Sequence, residues 1–123
     1  MLYNFRTENE LRKIAARTSG NMKAGMMLPS LSECLKTFPL SNEFYGRARA
    51  RGFRARSCAL AVFAGILLET KLDRTRSPEI LKGVEESLEI FISLLVDKVN
   101  WYGEEECSDI AEWMTEVSIK SAS

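Results

Sequence analysis

The chain has 123 residues, which fits one domain, 1–123, large enough to bury a real apolar core. Apolar residues make up 46% and charged residues 28%, a balance that excludes a disordered or membrane-embedded chain. Seventeen cations balance seventeen acids, and there is no histidine, which removes the commonest metal ligand and the commonest general base near neutral pH.

The zero net charge hides an asymmetry. Residues 1–60 hold eleven Lys/Arg and four Asp/Glu, a balance of +7; residues 61–123 hold six and thirteen, a balance of −7. Such a split marks a basic nucleic-acid face, or else the halves neutralise each other on folding. Cys34, Cys58 and Cys107 are widely spaced and odd in number, as expected of reduced, buried thiols in a cytoplasmic protein. The start, Met1 to Arg6, does not read as a signal peptide, and the longest apolar run, residues 58–68, is too short to span a bilayer.

In chain order, Thr7-Glu8-Asn9-Glu10 has the form of a capping box, which predicts a short first helix through Leu11, Ile14 and Ala15 that ends near Gly20. Residues 21–28 carry Met22, Met26 and Met27, read as gap-filling core. Ser30-Leu31-Ser32-Glu33 forms a second box, and Pro39 ends or kinks its helix. Ser41 is expected to cap a third, long helix whose apolar face runs Phe44, Ala48, Gly52, Ala55, Ala59, Val62 and Ile66. The small middle of that face invites close approach of another backbone, and residues 58–68 are apolar all round, as in a fully buried segment. Ser77-Pro78-Glu79 is a strong helix start. The stripe Leu81, Val84, Leu88, Phe91, Leu95, Val99 and Tyr102 follows, with Gly103 as its stop. The acidic run Glu104-Glu105-Glu106 opens a last helix that buries Cys107, Ile110, Met114 and Val117, with Ala111 and Trp113 alongside. No strand signal occurs. The fold class is all-α: an antiparallel bundle of four main helices plus a short N-terminal one.

Five arginines, Arg47, Arg49, Arg51, Arg54 and Arg56, fall within ten residues that hold no acid. On one continuous helix, Arg47, Arg51 and Arg54 share one edge of the small face, and Arg49 and Arg56 share the other. Guanidinium forks bind phosphate, each contact adding about 0.9 to the salt slope of duplex binding. The competing reading pairs these rows with the acids of the last two helices. Phe53 is a candidate for stacking on a base, for packing on a neighbouring chain, or for the core. The acids Glu104, Glu105, Glu106, Asp109, Glu112 and Glu116 spread around a helix and read as a solvated face rather than a metal site. Trp101, Tyr102 and Trp113 read as core or interface. Without histidine, a phosphate-binding loop or a dinucleotide motif, no catalytic set, metal or cofactor is expected.

Phe38-Pro39, then Ser41 and Phe44, Gly46-Arg47 opening a long helix, the leucines Leu81, Leu88 and Leu95, and a last helix with Ile110-Ala111-Glu112-Trp113 form an ordered pattern. It resembles the four-helix-bundle proteins encoded in intervening sequences of ribosomal RNA genes, and the related accessory variability determinants of diversity-generating retroelements. The resemblance implies an oligomeric helical barrel that binds nucleic acid and a reverse transcriptase, with Arg47, Arg51 and Arg54 as nucleic-acid contacts. The expectation is a non-enzymatic, homo-oligomeric nucleic-acid-binding protein. The alternative is a protein-binding inhibitor, immunity protein or adaptor acting through the acidic half.

Overall fold

The computed structural model of the chain describes residues 2–18 and 28–122, with side chains from Phe5 onward. Met22, Met26 and Met27 lie outside the described residues. Among the described residues there is no strand, and seven helices form: α1 (Leu2–Thr18), α2 (Leu31–Thr37), α3 (Pro39–Ala50), α4 (Ala55–Leu72), α5 (Pro78–Asp97), α6 (Val99–Tyr102) and α7 (Glu104–Ala122).

Helix α4 sits at the centre. Its residues Ser57 to Leu68 are buried one after another, without a solvent-facing position. A helix that is apolar all round must be covered all round, and α1, α2, α3, α5 and α7 all pack against it. One contiguous apolar cluster results, with Leu11 and Ile14 from α1, Phe44 from α3, Phe91 from α5 and Ile110 from α7. No described helix is long and apolar enough to cross a membrane.

The expected long helix from Ser41 to Leu68 is instead a hairpin of α3 and α4. Gly52 adopts φ +74°, a left-handed conformation that glycine reaches without steric cost. The Gly52 N–H donates to Arg49 O (3.0 Å) and the Phe53 N–H to Ala48 O (3.0 Å). These two bonds satisfy carbonyls in the last turn of α3, and both Ala48 and Phe53 are buried. Reversal lets the apolar face of α3 bury against α4, which a straight helix could not do. Ser41 is consequently not a cap. It lies inside α3, which Pro39 opens, and its buried hydroxyl donates to Val62 O at 2.8 Å.

The close approach expected at Gly52 occurs at Gly65. A Cβ there would lie 2.5 Å from Ser41 Cα and N, whereas a Cβ on Gly52 meets nothing within 4 Å. The α1 expectation also changes. The helix begins at Leu2, and Thr7 is buried inside it. Thr7, Leu11, Ile14 and Thr18 share one face, so burial of that face overrides capping at Thr7. Glu8 caps α2 instead, accepting from Leu31 N–H at 2.7 Å. Glu69 of α4 does the same for α3, at Leu40 N–H (2.9 Å). The starts at Ser30 and Ser77 are as expected: each side chain accepts from the third residue on, Glu33 N–H (3.2 Å) and Ile80 N–H (3.3 Å).

Gly65→Ala should lower stability by about 1–3 kcal/mol, because the opposing atoms are backbone and cannot swing aside. Gly52→Ala should cost about 1–2 kcal/mol through its positive φ alone. Urea unfolding midpoints check both, and an unchanged midpoint for Gly65→Ala would refute the close contact.

Candidate functional site

Because α3 and α4 fold back, the five arginines do not form two rows on one helix. Arg47 and Arg49 lie on α3, Arg51 at its C-cap, Arg54 at the N-cap of α4 and Arg56 in its first turn. Three of them meet α7 in reversed order. Arg47 reaches Glu116 (3.5 Å) as well as Glu43 (2.8 Å), Arg51 reaches Asp109 (2.9 Å), and Arg54 reaches Glu106 (3.7 Å). The carboxylates of the acidic half therefore balance part of the basic half within one molecule.

These exposed pairs are worth only about 0–1 kcal/mol each. The stronger bond between α7 and the hairpin is Trp113, which is buried. Its ring stacks on Phe53 at 5.7 Å and 13°, and tilts against Phe44 at 5.9 Å. The guanidinium carbons of Arg47 and Arg51 lie 5.6 Å and 5.9 Å from the Trp113 centroid. Phe53 is thus core, only 8% exposed; it does not present its ring to a base or to another chain.

Arg54 and Arg56 have a further task. Residue Gly103, with φ +110°, ends α6 and turns the chain into α7. The carbonyls that α6 leaves unmet there are taken by α4. Tyr102 O accepts from Ser57 Oγ (2.7 Å) and Arg54 Nη2 (3.1 Å), and Trp101 O accepts from Arg56 Nη1 (3.3 Å). Arginine donors at helix C-terminal carbonyls satisfy both bonding and dipole. Arg49 keeps to the other side of α3, on Tyr45 (Nη1 to the hydroxyl, 3.3 Å).

Where α1 passes the start of α4, an open groove of about 520 Å³ forms, lined by Arg6, Asn9, Glu10, Lys13, Arg54, Ala55, Arg56 and Trp101. Four cations face one carboxylate, a local balance of +3. Arg6 and Arg56 make no ion pair among the described residues; Lys13 pairs with Glu10 at 3.6 Å. Trp101 is 52% exposed, so of the core-or-interface reading the core half does not hold for it. The Arg56 guanidinium lies 3.9 Å from its ring centroid. Sequence spacing pointed to Arg54 and Arg56 and missed Arg6, Lys13 and Trp101, which come from separate helices. The groove offers positive charge and an aromatic face, which suit binding an anion that carries flat rings. Among the described residues no group of acids and cysteines is placed to hold a metal ion.

The three cysteines are buried and form no disulfide. Burial, with Glu106 nearby, pushes the Cys107 thiol from about 9 up to about 11. Burial also raises the Cys34 thiol, with Glu33 and Glu8 adding to it, and the Tyr102 phenol. In each case the fold favours the protonated, neutral form. Folded chains then hold more protons than unfolded ones above pH 9, so stability is intact below that pH and falls as pH rises toward 11. Denaturant midpoints across that range check the fall, which Cys107→Ala should flatten.

No family model, curated protein or solved structure matches this chain.

Proposed function

We propose that the protein binds nucleic acid through the groove between α1 and the start of α4. Arg6, Lys13, Arg54 and Arg56 would hold backbone phosphates. One observation carries the reading: four cations from two helices converge on a groove lined by a single carboxylate, Glu10, with Glu106 a second one 3.7 Å from Arg54. Guanidinium and ammonium groups gathered at the surface suit phosphate, and surface stability is a poor reason to gather them. Arg47 and Arg51 are secondary in this reading, since Glu116, Asp109 and Trp113 already engage them.

Anisotropy titrations with labelled RNA and DNA at low salt test it. Wild type should bind, with an affinity that falls steeply as salt rises. An Arg6→Ala/Lys13→Ala/Arg56→Ala variant, which keeps Arg54 on the Tyr102 carbonyl, should lose the salt slope of about three phosphate contacts, roughly 2–3 in log–log units. An unchanged slope would overturn the reading.

A different observation favours a second reading, a protein-docking module. Between α5 and α7 runs a groove of about 690 Å³ with Leu68, Leu88, Leu95 and Met114 along it, and Glu85 and Glu89 on the α5 side. Ile92 and Ile119 stand exposed on its walls. An apolar trough edged by two carboxylates and one ammonium, Lys71, fits an amphipathic helix of a partner protein whose polar face is mainly basic. A synthetic leucine–lysine helix should bind wild type at least tenfold more tightly than an Ile92→Asp/Ile119→Asp variant. Equal binding, or a wild-type mass showing that a second copy fills the groove, would count against it.

A further inference from the structure

The exposed indole in the basic groove points to a more specific ligand. Tryptophan has the largest apolar surface of any side chain and is usually well covered. Trp113 follows that rule at 4% exposure, whereas Trp101 leaves about half its surface in water. Trp101 is also held in place: its carbonyl accepts from Arg56, and the same guanidinium lies against its ring. One face of the indole carries the Arg56 guanidinium, and the half of its surface that stays in water is a place prepared for a flat partner. The cations around it stand where the charged backbone of that partner would run, with Arg54 and Arg56 on one side and Arg6 and Lys13 on α1.

We propose that Trp101 is the stacking platform for an unpaired base of single-stranded nucleic acid, with the neighbouring phosphates on the α1 and α4 cations. The inference rests on the nucleic-acid reading and adds strand selectivity to it. Every base has a π-face, so an indole platform tolerates sequence, but bases inside a duplex are already stacked and cannot reach it. The groove, of about 520 Å³, has room for an unpaired base with its flanking phosphates.

The test compares wild type, Trp101→Ala and Trp101→Phe for binding to a twelve-residue thymidine oligomer and to a blunt twelve-base-pair duplex, at one low salt concentration. Trp101→Ala should weaken oligomer binding roughly tenfold, Trp101→Phe should retain most of it, and duplex binding should change less than twofold. Trp101 is exposed, so both variants should melt close to wild type. A Trp101→Ala variant that binds the oligomer as wild type does overturns the stacking role and leaves the phosphate surface standing. Equal losses on oligomer and duplex overturn it as well, by placing Trp101 in support of the groove's shape. Wild type that binds neither probe overturns both proposals at once.

Discussion

The rest of the molecule depends on the burial of α4. Twelve consecutive residues, Ser57 to Leu68, lie out of water, and a helix buried on every side dictates the placement of its neighbours. The tightest of these contacts is with α3, where Gly65 lets the Ser41 backbone come within reach and the Ser41 hydroxyl donates to Val62 O. That bond gives a buried polar group its partner, and no buried side-chain nitrogen or oxygen among the described residues lacks one. The reversal at Gly52, the buried Thr7 and the turn at Gly103 all follow from fitting short helices around this centre.

The charged residues divide along the same lines. Glu8 and Glu69 cap helices other than their own, and Arg54 and Arg56 close the end of α6. Charge is used first to finish helix ends around the core, and only the remainder faces outward. The arginine run is therefore neither purely a phosphate row nor purely an internal counterweight. Arg47 and Arg51 are drawn toward α7, Arg49 rests on Tyr45, Arg54 serves both α7 and the groove, and Arg56 opens onto the groove beside Trp101.

Local signals in the chain were legible where they act locally. Ser30 and Ser77-Pro78 start their helices as their chemistry suggests, and the all-apolar stretch at 58–68 lies at the centre, whereas the helix expected to run to Gly103 stops at Asp97 and Gly103 ends the short α6 instead. Signals that depend on tertiary partners were not. The 3.6-residue pattern continues straight through Gly52, so only the gain from folding α3 back on α4 reveals the break. The Thr7 box fits the capping rule, yet its threonine is needed on the buried face. Glu8 and Glu69 act 23 and 29 residues away. Of the candidate site, the chain showed the cluster of arginines, but neither the α1 cations that join two of them nor the exposure of Trp101. Whether Phe53 was core or a free ring stayed open in the sequence because its cover, Trp113, is 60 residues further on.

A helix without a wet face also bears on how the chain is made. When α4 leaves the ribosome, α1, α2 and α3 have already been synthesised and can cover part of it, with α3 tied to it by a link of only four residues, 51–54. The remaining faces wait for α5 and α7, the latter beginning at Glu104. Until then an apolar surface meant for the interior stays open, which is the period when nascent helices associate with the wrong partner. The amphipathic helices α5 and α7 thus serve as the covers that end this exposure, and a chain cut before residue 104 would keep it permanently.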